Sequence, residues 1–259
     1  GVVSLGDNVT LTASSVINAG SAAITLGGTV NGAFSLTANS TGATTFSGAV
    51  GTVTPLTTLT TNAGGTTLIS GGAVTTSGAQ TYSDAVTLGA NTIFTGTTGS
   101  YTGAIDGGNF DLTLNFSGLT VVNAGTFSNV VNFATGNGGT TELSGTIATS
   151  GSQTYNDVVS LTGATTLTSS GAGNIQFANT LDGAQTLAVN TAGTTIFSAA
   201  VGGGTKLTSL TTDAAGTTSL GADITTNDGL VSLGDNVTLT AASVINAGSA
   251  AITLGGTVN

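Results

Sequence analysis

Residues 1–31 read GVVSLGDNVTLTASSVINAGSAAITLGGTVN, and residues 229–259 read GLVSLGDNVTLTAASVINAGSAAITLGGTVN. Only Val2/Leu230 and Ser14/Ala242 differ, so 29 of 31 positions match at an offset of 228. The chain thus reads as one full period, 1–228, followed at 229–259 by the start of the next. Self-similarity at a fixed period marks an array of supersecondary units that bury their apolar faces only by stacking. The expectation is a window on a longer array whose flanking sequence continues the period.

A shorter period lies inside the long one. GAFSLTANSTG (32–42), GNFDLTLNFSG (108–118) and GAQTLAVNTAG (183–193) share a G-x-[FQ]-x-L-x-x-N-x-x-G pattern. Asn39, Asn115 and Asn190 follow one another at intervals of 76 and 75, so three units of about 76 make one period. TTSGAQTYSDAVTL (75–88) matches ATSGSQTYNDVVSL (148–161), and GGTTLISG (64–71) matches GGTTELSG (138–145), at offsets of 73 and 74. FSGAVG (46–51) matches FSAAVG (197–202) at 151. The domain reading is one continuous β-solenoid over 1–259, with sub-repeats at approximately 32–107, 108–182 and 183–259.

Within a unit, apolar and polar residues alternate. Phe110, Leu112, Leu114 and Phe116 alternate with Asp111, Thr113 and Asn115, the period-2 sign of a strand with one buried face. Val9/Leu11, Ile24/Leu26, Phe34/Leu36 and Leu187/Val189 repeat the pattern, with Gly, Asn and Asp clustered between. A five-residue strand buries too little to fold alone, whereas stacked coils pair each strand above and below. The fold class expected is all-β: a right-handed parallel β-solenoid of stacked short-strand coils. Division of 76 gives four coils of 19 and twelve per period, a stack of roughly 58 Å; coils of about 25 are the alternative. The core expected is a column of aliphatic and Phe side chains with no polar site inside. Gln185, standing where Phe34 and Phe110 stand, is the exception to test.

Composition supports strands. There are 42 Gly and 55 Thr, against one Glu, one Lys and no Arg. Gly, Thr, Val, Ser and Asn are poor helix formers, and Thr and Val suit pleated strands. The hydrophobic fraction is 39% with only 5% charged residues, which is not the composition of a disordered chain. Pro55, the one proline, is expected outside the ladders, because it lacks a donor.

Charge and missing residue types narrow the function. The net charge is −10 with Lys206 as the only cationic side chain, so the chain has no means of neutralising phosphates or gripping anionic lipid. No nucleic-acid partner and no membrane insertion are expected, since no run reaches the roughly 18 apolar residues of a membrane helix. Zero Cys excludes disulfides and thiolate metal sites. No signal peptide is visible and Gly1 is not a translation start, so the reading is of a mature product or an excised fragment.

TTSGAQTYSDAVTL, AGTT (215–218) and FSAAVG together resemble the strand repeats of giant bacterial surface proteins. These are the filamentous-haemagglutinin-like and autotransporter-associated β-strand repeat classes. The resemblance implies a right-handed β-solenoid, export and display at the cell surface. It brings no catalytic residues, and no haemagglutinin-type secretion domain is recognisable.

Chemistry is sparse. With no His and no Cys, nucleophilic and acid–base catalysis lack their usual groups. Paired carboxylates suffice for glycoside hydrolysis. Here Asp7, Asp84, Asp106, Asp111, Glu142, Asp157, Asp182, Asp213, Asp223, Asp228 and Asp235 are spread along the chain. Asp7/Asp235 and Asp84/Asp157 are repeat equivalents, which suits structure better than an active site. No calcium-loop motif is present, and the sequence assigns no catalytic, cofactor or metal residue. Thr-Leu-Thr recurs at 10–12, 58–60, 166–168 and 238–240, with Leu expected inward and both Thr outward; even spacing on one face, as ice binding needs, is absent. The sequons at Asn8, Asn39, Asn115 and Asn236 are expected by chance in a chain rich in Asn and Thr. Tyr82 and Tyr155, at equivalent positions, read as repeated core packing. The functional expectation is a non-enzymatic, extracellular structural segment of a bacterial filament, sheath or stalk. It self-associates into fibres or lateral bundles, with divalent-cation bridging through surface Asp. An adhesin stalk is the alternative, followed by an ice-binding or polysaccharide-acting β-helix.

Overall fold

Parallel stacking is what the alternating five-residue segments demand, and it is what they form. The computed structural model describes residues 1–122 and 127–259 and contains strands but, among the described residues, no helix. The chain divides into two compact units, Gly1–Val130 and Val131–Asn259, each a parallel β-solenoid. Ladders join strands of successive coils. That pairing satisfies backbone groups which a lone strand leaves to solvent.

Each coil in the first unit has three faces. Val3 pairs with Ile24, and the column continues through Thr44, Thr67, Val86 and Ile105. A second column runs Val9, Val30, Val50, Val74, Phe94 and Leu114. The third runs Ile17, Ala38, Thr61, Tyr82, Tyr101 and Val122. The second unit repeats the plan, with columns through Ile147–Leu167–Val189, Val159–Leu181–Val201 and Gln153–Ile175–Thr195.

The coil is longer than simple division suggests. Partner offsets run from 18 at Thr140↔Val158 to 24 at Val50↔Val74, with 21 at both Val3↔Ile24 and Val231↔Ile252. A 76-residue unit is therefore not four coils of 19. It is about three coils and two further faces, so successive units start on different faces. In the first unit, Leu36 of GAFSLTANSTG pairs with Ser15 and Leu59 on the third face. Its repeat equivalent Leu112, in GNFDLTLNFSG, pairs with Thr92 on the second face. Three such steps amount to a whole number of coils, which accounts for the 228-residue period.

Leu36, Leu112, Leu114, Phe116, Leu187 and Val189 are buried, as the alternation requires. Phe34 and Phe110 are not. Phe34 is 37% exposed, and Phe110 and Gln185 are half-buried. The reason is local: Phe34 and Gln185 lie on corners just outside the inward run, and Phe110 follows the left-handed Gly108 and Asn109 (φ 57° and 66°) inside the long strand Ile105–Phe116. The Phe34 amide bonds back to the Gly32 carbonyl at 2.7 Å and the Gln185 amide to that of Gly183 at 2.7 Å. Gly32 (φ 129°) and Gly183 (φ 131°) turn the backbone through a region that L side chains avoid. The corner thus accepts Phe or Gln, and the inside–outside register of the strands stands. Pro55 lies between the bend at 51–54 and the Leu56 bridge, outside the named strands, two residues after the exposed Val53.

Aromatic side chains fill the column interior by stacking along the coils. Tyr82 lies parallel to Tyr101 at 5.2 Å with Phe94 edge-on at 5.4 Å. Tyr155, Phe177 and Phe197 form a continuous stack at 5.1 and 5.4 Å. Tyr82 and Tyr155 are therefore core residues, as their equivalent positions suggest.

Candidate functional site

The interior is not wholly apolar, contrary to the expectation from sequence. Asp84, Asp157 and Asp235 are 4%, 1% and 3% exposed. Each stands at a corner just before an inward strand, and its carboxylate meets threonines of the preceding coil. Asp84 Oδ1 accepts from Thr61 Oγ1 at 3.0 Å and Thr67 Oγ1 at 2.8 Å. Asp235 Oδ1 accepts from Thr218 Oγ1 at 2.7 Å, and Thr212 Oγ1 accepts from the Gly234 amide at 3.1 Å. Asp157 Oδ2 accepts from Thr141 Oγ1 at 3.2 Å, and its Oδ1 from the Gly138 and Gly139 amides, both at 3.1 Å.

The three sites are copies. Thr61 and Thr67 precede Asp84 at sequence separations of 23 and 17, and Thr212 and Thr218 precede Asp235 at the same two separations. Thr135 and Thr141 precede Asp157 at separations of 22 and 16. Burial pushes the Asp157 carboxyl above the usual range, against hydrogen bonds from Thr141, Gly139 and Gly138 that pull it down. Burial likewise raises Asp235, aided by the negative charge of Asp213 and opposed chiefly by the Thr218 hydroxyl. Asp7, the repeat equivalent of Asp235, is exposed in the first coil.

A second buried device is also duplicated. Gln80 Nε2 donates to the Val74 and Thr95 carbonyls at 3.2 and 2.9 Å, and its Oε1 accepts from Tyr82 Oη at 3.1 Å. Gln153 does the same with Ile147 and Thr168 at 3.2 and 2.9 Å, and with Tyr155 Oη at 2.9 Å. Burial raises the phenol pKa of both tyrosines far above its ordinary value. The Q-T-Y core of the repeat motif is a clamp, with no ionisable role at neutral pH.

The remaining Asp and Asn mostly staple corner to corner along the stack. Asn8, Asn31, Asn132, Asn174, Asp182, Asp223, Asp228 and Asn236 each accept from backbone amides one coil further on, at 2.8–3.2 Å. The Ser249 amide and hydroxyl hold the Asp228 carboxyl below its usual range. One side-chain rung joins Asn39 Nδ2 to Asn18 Oδ1 at 2.8 Å. Asp106, Asp111, Glu142 and Asp213 are partly exposed. Among the described residues, no group of three or more His, Cys, Asp or Glu gathers to hold a metal. Leu11, Leu59 and Leu167 of the Thr-Leu-Thr segments point inward, whereas Leu239 is exposed in the last coil. In each unit the two segments fall on different faces.

Searches of protein-family models, curated proteins and solved structures found no match to this chain.

The buried aspartates escaped sequence reasoning because Thr and Asp at these positions look like surface strand and turn residues. The signal present was the spacing, two Thr six apart and then Asp sixteen or seventeen further on, but Thr205, Thr211 and the exposed Asp228 share it.

Proposed function

We propose that this chain is a non-enzymatic structural segment of an extracellular bacterial filament, sheath or surface stalk. The observation that carries the reading is the shared register of the two terminal sequence copies, 1–31 and 229–259. Val3–Leu5 pairs with Ile24–Leu26, and Val231–Leu233 pairs with Ile252–Leu254, residue for residue at the same offset of 21. Val9↔Val30 and Val237↔Val258 repeat this on the next face. A period that closes on its own register can be added any number of times without altering the coil, which is what a spacer or fibre requires. The polar groups described above serve the stack itself, at corners or inside. The lack of cysteine and the resemblance to surface repeat proteins support export and display. Exposed carboxylates such as Asp223 suit loose divalent bridging between neighbouring fibres.

Proteinase K digestion tests the reading, since stacked strands shield the backbone. The native chain should stay intact under conditions that reduce a globular control to peptides, and electron microscopy should show lateral bundles. Rapid digestion contradicts it. Saturable binding to one glycan would move the reading to an adhesin, and turnover of a polysaccharide would move it to an enzyme.

A further inference from the structure

Two of the three buried aspartate sites share a defect: a buried oxygen with no partner stands on the threonine column that donates to the carboxylate. At the first, Thr44 Oγ1 and Asp84 Oδ2 are buried and unpaired. Thr44 is in register with Thr67, which donates to Asp84, and both threonines are fully buried, so their side chains are neighbours inside the coil. At the third, Thr195 Oγ1 is buried and unpaired, in register with Thr218, which donates to Asp235. The second lacks the defect at its carboxylate: Asp157 Oδ1 accepts from the Gly138 and Gly139 amides and Oδ2 from Thr141. Unpaired buried polar atoms are rare in native structures, and recurrence at equivalent positions calls for a missing partner.

The chemistry of that partner follows from charge and donor type. Thr44, Thr61, Thr67 and Asp84 supply five hard oxygens and at most one negative charge; Thr195, Thr212, Thr218 and Asp235 supply the same oxygens, with Thr212 also accepting from the Gly234 amide and the partly exposed Asp213 lying outside the buried set. No nitrogen or sulfur side chain joins them, and the one lysine, Lys206, acts on Asp228. A buried carboxylate without a counter-charge is costly. Each threonine hydroxyl that donates its proton to the carboxylate keeps its lone pairs free for a cation. A divalent ion would leave net positive charge in the core, whereas a monovalent ion leaves the site neutral.

We propose that the Asp–Thr sites around Asp84 and Asp235 are interior binding sites for a small monovalent cation of the sodium class. The cation is taken up as the coils close and stabilises the folded stack by mass action. The proposal is independent of the filament reading.

The test is unfolding of the full chain in sodium chloride against choline chloride at matched ionic strength and neutral pH. Sodium at a hundredfold excess over its dissociation constant should raise the folded-to-unfolded ratio about a hundredfold per occupied site, while choline does not. The Thr44→Val and Thr195→Val variants keep shape and carboxylate but remove an oxygen, and should weaken the sodium dependence. Asp84→Asn with Asp235→Asn should abolish it. Equal stability in the two salts overturns the proposal and leaves a proton or a water molecule as the partner. An unchanged sodium dependence in the folded Thr→Val variants overturns the site assignment, even where the aspartate variants fail to fold.

Discussion

Phe177→Ala should cost the second unit about 3–5 kcal/mol, felt locally. Phe177 is fully buried between Tyr155 and Phe197, with ring centroids 5.1 and 5.4 Å away and planes within 11° of parallel. Truncation removes a large side chain's burial and leaves a cavity, and it breaks two stacked pairs, each worth about 0.5–1.5 kcal/mol beyond burial. Rigid ladders on both sides, Gln153–Tyr155 before and Thr194–Phe197 after, limit collapse into the hole. Coupling in a solenoid is to nearest neighbours, so the loss should not spread. Native-state hydrogen exchange provides the assay. Amides of the strands Gln153–Tyr155, Ile175–Phe177 and Thr194–Phe197 should exchange faster, while those of Val3–Leu5 and Leu36–Ser40 keep their protection. Phe34→Ala, at a half-open corner, should cost less than about 1 kcal/mol. Equal costs at the two positions, or uniform loss of protection along the chain, would refute the layered-core reasoning.

Gln153→Leu should destabilise by about 1–3 kcal/mol, because it strands the Tyr155 hydroxyl and the Thr168 carbonyl; adding Tyr155→Phe should recover part of that loss in a double-mutant cycle by denaturant titration. Gly202→Ala should cost about 1–3 kcal/mol or more, because Gly202 has φ 69° and an added Cβ would overlap the Thr225 carbonyl oxygen; wild-type stability in the variant would contradict the corner geometry. Burial raises the Asp157 and Asp235 carboxyls, so the folded chain holds their protons more tightly than the unfolded chain. Their contribution to stability should therefore grow as pH falls through the raised folded values toward the unfolded value of about 4, and level off below it. Asp228, held low by Ser249, acts in the opposite sense, so the comparison is wild type against Asp157→Asn in sodium-free buffer, with loss of part of the acid-side gain expected.

The strands were legible because period-2 alternation survives in every copy, as at Leu112, Leu114 and Phe116. The coil length was not, because the number of residues per coil varies from 18 to 24 along the chain. Val50↔Val74 spans the Pro55 loop and Thr140↔Val158 a tight corner, so no single divisor of 76 returns the coil. The alternation also runs one step too far at Phe34, where it crosses a corner that sequence does not mark as distinct from the strand, and at Phe110, just after the left-handed Gly108 and Asn109. The interior polar sites were hidden for a different reason. Thr44, Thr61 and Thr67 are inward, yet threonine is equally at home on the outer face of a strand. Only the pairing register shows which face each takes.

The most direct test of the structural-array account is the length of particles built from one, two and three 228-residue periods, measured by electron microscopy. At a coil offset of 21, as at Val3↔Ile24, each period adds about eleven coils, or roughly 53 Å at about 4.8 Å per coil. The account predicts that increment at constant width. Particles that widen instead, or that form separate beads for each period, would contradict it.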